Sequence, residues 1–303
     1  MSAITMGTKF PAELEREIFS KVKGKSSIAA MADAEPIPFT GKDIFTFSFA
    51  NDVSVVGEGG NKPAGDAAVT PVQIRPVKIV YQSRVNEEFM YAAESEQMDV
   101  LSAFADGFAK KLGEGLDIMA FTGKDPKSGN ASDSIGNNHL EYIVPGSHAV
   151  KYIKGTNNPV TQLNAAIGKV GDPNGIILAP AFRTDIAKLA AATGSNAPAY
   201  PEFNFGGYPT QLGNCKLDVN SSVAAKSSGL NAVVADWDAF RWGYAKELPI
   251  EVIEYGDPDG AGTDLKRANQ VLIRSEAFIG WGFLDPNAFA VVGTISGVTG
   301  VTE

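Results

Sequence analysis

Cysteine is almost absent: Cys215 is the only one in 303 residues, so no intrachain disulfide staples this chain, and the usage fits folding in a reducing cytosol. A lone thiol reads first as a small buried apolar residue and only then as a nucleophile. Histidine is nearly as scarce. His139 and His148 lie nine apart without cysteines or carboxylates at ligand spacing, so no metal site is expected, and their Gly-, Asn- and Ser-rich surroundings imply solvated rings. Positive charge is also short: 26 Lys and Arg against 35 Asp and Glu leave a net charge of −9. That balance disfavours a protein that grips nucleic acid through overall basicity, while leaving local basic patches open. No apolar run reaches the roughly 20 residues of a membrane-spanning helix, and MSAITMGTKF lacks the apolar core of a signal peptide.

Catalytic signatures are missing too. GEGGNKPAG offers glycines beside a lysine, but Lys62 is followed by Pro63 and the stretch precedes a strand, so it fails the phosphate-loop pattern. DPDGAGTD, Asp257 to Asp264, begins like a calcium loop yet has Ala268 where the twelfth-position glutamate belongs, and reads as a solvated turn. Neither a G-x-S-x-G elbow nor a Cys–His pair accompanies the remaining polar residues. No enzyme class and no cofactor is signalled.

What is present is an ordinary globular balance, 44% hydrophobic and 20% charged, long enough for two lobes. The dominant element is Ser95 to Gly123. Val100, Leu101, Phe104, Phe108, Leu112, Leu116 and Met119 recur at helical spacing, with Ser95 as N-cap, acidic residues in the first turn and Gly123 as the stop. A single helix over 96–122, about 40 Å long, is predicted. Gly107, Gly113 and Gly115 inside it each cost up to about 1 kcal/mol against alanine, so tertiary packing must hold it.

Before this helix, Phe10, Leu14, Ile18 and Val22 mark an amphipathic segment with Pro11 at its start and Gly24 at its end. With the aperiodic MADAEPIPFTGKD after it, the segment reads either as an arm stabilised by lying along something else or as an ordinary first core helix. DIFTFSFANDVSVVGE and VTPVQIRPVKIVYQSRV alternate apolar and polar residues about a turn-rich tip, which predicts a long hairpin projecting some 40 Å; Pro71 and Pro76 fit an exposed or edge strand. Downstream, helices are expected over Pro159–Val170 and Phe182–Ala192, the latter with Ile186 and Leu189 inward. A buried strand is expected at GIILAP, and further strands in NCKLDVNSSV, NAVVADWD, FRWGYAK, PIEVIEY and NQVLIRSEAFIGWGFLDPNAFAVV. The class is α+β. Trp237, Trp242 and Trp281, with the acidic charge balance, are the only hints of a monomeric carbohydrate-binding or hydrolytic protein, and tryptophans beside strands are more often core.

Taken in order, the amphipathic segment, VVGEGGNKPAGDAAVTPVQIRPVKIVYQSRVNEEFM, the long helix, LGNCKLDVNSSV and NQVLIRSEAFIGWGFLDPNAF resemble the major capsid proteins of tailed bacteriophages, the Hong Kong 97-type fold. The resemblance covers about Phe10 to Val292. It implies an N-terminal arm over 1–44, an extended loop over 45–85, and a peripheral domain over 86–155 and 246–303 bearing the spine helix. An axial domain is implied over 156–245. It implies a structural protein, not an enzyme, whose copies form pentamers and hexamers of an icosahedral head around double-stranded DNA, assembled in the host bacterial cytoplasm. Portal and decoration proteins are implied partners; with Met1 directly before the arm, a scaffolding protein is expected either as a separate chain or as a cleaved segment upstream of this sequence. An encapsulin-like nanocompartment is the alternative within the same fold.

By the same resemblance Glu58, Lys62, Pro63 and Asp66 form the loop tip that meets other subunits, and Gly107, Gly113 and Gly115 let the spine bend between shell positions. Some relatives join subunits through an isopeptide bond from a loop lysine to an asparagine, assisted by a glutamate seven residues further on. Lys62, Asn269 and Glu276 match that pattern. Structural roles for the three account for them as well: Lys62 pairing at a rigid tip, Asn269 capping backbone, Glu276 in an ion pair.

Overall fold

The structure, a computed structural model, describes residues 26–49, 52, 54–64, 67–92, 94–194, 196–246 and 250–294. The amphipathic segment around Phe10 to Val22, and Asp66 of the loop tip, lie outside the described residues.

The chain enters through a short helix, α1 (Ser27–Met31), capped by Ser26, whose side chain accepts from the Ala29 amide. Ser27, Ile28 and Ala29 of it are buried. Residues 34–37 then run beside β9 (Phe240–Lys246), with Glu35 N donating to Trp242 O at 2.9 Å and Ile37 N to Tyr244 O at 3.0 Å. The described part of the expected arm therefore lies on its own subunit. Gly243 makes this approach possible, because a β-carbon there would stand 1.6 Å from the Glu35 carbonyl oxygen.

The hairpin is shorter than the alternation predicts. β1 (Lys42–Phe49) pairs antiparallel with β2 (Ala67–Ile74), from Lys42 opposite Ile74 to Phe49 opposite Ala67. The chain breaks pairing at Arg75–Pro76, and β3 (Val77–Asn86) joins another sheet altogether. Pro76 has no amide donor with which to extend β2, whereas Pro71 is tolerated inside the two-stranded ribbon opposite Phe45. Alternation runs through both strands with a one-residue change of phase between Ile74 and Val77, and alternation by itself does not tell which partner each strand finds.

The long helix is α2, Glu94–Thr122. It starts earlier than expected, which puts Ser95 inside the helix, not at its cap. Leu101, Phe108, Leu112, Leu116 and Met119 are buried as expected, whereas Val100 is exposed. Gly123, at φ +68°, ends it, with its amide on Met119 O at 2.9 Å.

A four-stranded sheet is built on β11 (Gln270–Phe283), which pairs with β3 on one side and with β9 and β10 (Ile250–Ile253) on the other. The six-stranded sheet has the order β4-β12-β8-β5-β7-β6. Its strands are β4 (Ala149–Lys151), β5 (Gly175–Leu178), β6 (Gln211–Leu212), β7 (Cys215–Val219), β8 (Leu230–Ala235) and β12 (Phe289–Gly293). It is mixed, with β12 parallel to β4 and β5 parallel to β7. Sheet membership crosses the expected domain limits: β9 joins the four-stranded sheet, β4 and β12 the six-stranded one.

Helix α3 (Leu140–Ile143) follows the polar loop, and α4 (Pro159–Val170) packs on the six-stranded sheet. Asn158 caps α4 and Gly171, at φ +87°, closes it. Helix α5 spans Pro180–Ala187, five residues short of its expected end. Leu189 is consequently outside it and half-buried. Trp237, Trp242 and Trp281 are all buried, and Trp237, Phe240, Phe283 and Phe289 meet edge to face at centroid distances of 5.0–5.9 Å. Cys215 is buried, with burial raising its thiol pKa.

Candidate assembly surfaces

Opposite residues of an antiparallel pair share a face, so Phe45, Phe47, Val69 and Pro71 form one side of the hairpin. Phe45 is 61% exposed, Phe47 65% and Val69 51%. The base of the hairpin is fixed: Ile74 is buried and lies over Gly280 and Gly282 of β11, where added β-carbons would stand 2.9 Å from its side chain. A rigid root thus carries an apolar face that finds no cover in its own subunit among the described residues. A two-stranded ribbon alone is marginal in water, and an exposed apolar edge of this kind marks a contact surface. The molecule also has a recess of about 700 Å³ between β3 and α2, lined by Val77, Ile79, Tyr81, Phe108, Leu112 and Met119 among others.

At the tip, Gly60 N donates to Gly57 O at 3.0 Å, Gly59 has φ +79°, and Glu58, Lys62 and Pro63 are exposed. Of the other two members of the crosslink pattern, one precedes β11 and one lies midway along it. Asn269 precedes the strand at φ +53°, a left-handed position that asparagine tolerates. It borders a small open groove with Glu87, Glu88 and Tyr91. Glu276 lies within the strand, roughly 20 Å further along at about 3.4 Å per residue, and pairs with Lys78 at 2.8 Å. One chain does not bring Asn269 and Glu276 together. Of the spine glycines, Gly107 is exposed with open space where a β-carbon would go, and Gly115 faces Pro126 at 3.5 Å.

Two polar clusters escaped the sequence reading. DPDGAGTD is the exposed turn expected, and it is also held to β3: Arg84 Nε donates to Asp259 Oδ2 at 2.8 Å and Arg84 Nη2 to Asp257 Oδ1 at 2.7 Å. Asp257 also accepts from the Ala261 and Gly262 amides. The hydrogen bond from Arg84 holds Asp259 well below the usual carboxylate range, at about 2. The second cluster surrounds Asp117 of α2, which is fully buried. It accepts from Ser26 Oγ at 2.5 Å, Ser27 N at 2.9 Å, Ile28 N at 3.2 Å and Asn220 Nδ2 at 3.3 Å. Ser27 Oγ donates to Asp218. Burial pushes the Asp117 carboxyl up to about 7 against these hydrogen bonds, and the nearby Asp218 adds to the rise. The available signal was a single charge inside the apolar run LDIMAF.

The histidines are half-buried. His139 precedes α3 and packs against Gly123, and burial, then Lys124, lowers its pKa. His148 Nδ1 lies 3.1 Å from Phe289 O. No group of three or more His, Cys, Asp or Glu among the described residues is placed to hold a metal. No helix there is long and apolar enough to cross a membrane.

Residues 7–293 match the model of the phage capsid family. A structure from Mycobacterium phage Ogopogo superimposes with TM-score 0.73 at 31% identity, covering 89% of this chain and 92% of that one. One from Gordonia phage Cozz gives 0.72 at 22% identity, covering 89% and 86%. The capsid of a native GTA particle computed with C5 symmetry gives 0.57 at 12% identity, covering 98% and 95%. Among curated proteins nothing matches.

Proposed function

The chain belongs to the phage capsid family, and from that membership we propose that it is the major capsid protein of a tailed-phage head, forming pentamers and hexamers of an icosahedral shell around double-stranded DNA. The observation that carries this is the hairpin: an apolar face on a fixed root, uncovered in its own subunit. A projecting face and a separate recess make a heterologous contact, the type that closes rings. The net charge of −9 suits a container that encloses DNA without gripping it. Family membership marks a structural protein, not an enzyme. A cargo-enclosing nanocompartment of the same fold draws no support from the matched relatives.

The finer assignments belong to the same proposal. Residues 1–44 act as the arm, 45–85 as the extended loop, 86–155 and 246–303 as the peripheral domain and 156–245 as the axial domain. Assembly proceeds in the host cytoplasm, with a scaffold, a portal and in some heads a decoration protein. Gly107, Gly113 and Gly115 serve as the places where α2 bends differently in pentamers and hexamers; a spine of identical curvature at every shell position would contradict that role.

Sedimentation velocity of the purified chain tests the reading. Particles of many subunits are expected, and a species that stays near 31.9 kDa at all concentrations would contradict it. The same particles report on crosslinking. An isopeptide bond needs the Lys62 amine to attack the Asn269 amide carbonyl with loss of ammonia while a carboxylate takes the proton, and only residues from different copies can supply that set. Glu276 is already engaged by Lys78, so boiled shells are expected to run as one band near 31.9 kDa. A ladder of multiples that disappears on Lys62→Arg would establish the bond instead.

A further inference from the structure

We propose that the groove where the end of β3 meets the turn before β11 receives the Arg267 guanidinium of a second copy, held by Glu88 and the ring of Tyr91. The proposal rests on the shell reading above and deepens it by naming one contact between copies.

The groove holds about 400 Å³ and is walled by Asn86, Glu87, Glu88 and Tyr91 together with Ala268 and Asn269. Its walls are fixed from within. Residues 264–269 form a tight turn in which Asp264 accepts from Arg267 N at 3.1 Å and from Gly256 N at 3.0 Å, while Ala268 N donates to Asp264 O at 3.1 Å. Glu87 N donates to Asn269 O at 2.8 Å and ties the two walls together.

Charge on this tip is almost wholly matched inside the copy. Within 84–91 and 256–270, Arg84 binds Asp257 and Asp259. Lys266 binds Glu87 and lies over the Tyr255 ring, and Asp264 holds the amides named above. Two charges remain. Glu88 and Arg267 are exposed, and among the described residues neither side chain makes an ion pair or a hydrogen bond. Arg267 does not line its own groove, although its neighbours Ala268 and Asn269 do.

A carboxylate in the groove and a cation beside it are thus complementary halves that a second copy brings together. Glu87 is already neutralised by Lys266, so the groove offers one net negative charge to one incoming positive charge. The Tyr91 ring is 79% exposed, and a guanidinium can stack on such a face while its two-pronged edge meets a carboxylate. Because both halves sit on one tip, copies related by a rotation axis passing close to it can repeat the contact around that axis until it closes. An exposed pair of this kind would add little to one subunit; enclosed between copies it sets which faces meet.

Three variants of the full chain test this: Glu88→Arg, Arg267→Glu and the two combined. Both side chains stand in water in one subunit, so circular dichroism should match wild type throughout. Each single reversal sets like charges face to face and should cut the yield of closed particles, read by sedimentation, about tenfold or more. Combining them restores opposite charges and should return the yield to within about threefold of wild type. A purely local role for either residue would give no such rescue. Unchanged yields from both single variants would leave the groove to another partner, and a combined variant no better than the single ones would mean that the two residues do not meet; either result overturns the proposal. A wild-type chain that forms no particles contradicts the shell reading itself, and the contact with it.

Discussion

Replacing Phe45 and Phe47 together by aspartate should leave a folded subunit that no longer builds shells. Both phenyl groups stand largely in water on the hairpin, so a single subunit has little to lose from the change. Between subunits the balance reverses. Covering two such side chains is worth on the order of 3 kcal/mol per contact, and an aspartate in the same place must be stripped of water without a partner. Each contact then weakens by well over a hundredfold, and a closed shell repeats that loss at every subunit. Sedimentation and circular dichroism on the same preparation check this: native-like secondary structure at the mass of one chain is expected. Shells of normal size from the double variant would remove the hairpin from the account.

Gly243→Ala should damage the subunit itself. Its β-carbon would fall 1.6 Å from Glu35 O, and that neighbour is backbone, not a side chain that can swing aside. Residues 34–37 would have to lift from β9 and give up the bonds from Glu35 N to Trp242 O and from Ile37 N to Tyr244 O. The bond from Trp242 Nε1 to Ala32 O, 2.8 Å long, lies in the same path. At about 1 kcal/mol net for each hydrogen bond, the loss is about 2–3 kcal/mol. Urea denaturation measures it directly. A change below about 0.5 kcal/mol would mean that segment 34–37 contributes little to holding the chain.

Much of the fold was legible in the chain because its signals are local. The 3.6-residue period and Gly123 marked α2, the run Pro159–Val170 marked α4, and the short apolar run GIILAP marked β5. What stayed hidden was partnership. β2 and β3 alternate in the same manner with a one-residue change of phase at Arg75–Pro76, yet one faces β1 and the other β11. The same limit applied to the sites. The order of segments pointed to a shell protein, and the exposed hairpin face is compatible with it. The hydrogen bonds to Asp117 and those from Arg84 instead join residues 91 and 175 positions apart, which no spacing rule can register. Asn269 and Glu276 show the converse: a matching interval along the chain became a long separation once the intervening residues extended into a strand.

The most direct test is cryo-electron microscopy of the expressed full chain. The account predicts closed icosahedral shells in which every hairpin lies on another copy with Phe45 and Phe47 covered. Particles that fail to close, or shells in which that face remains in solvent, would contradict it.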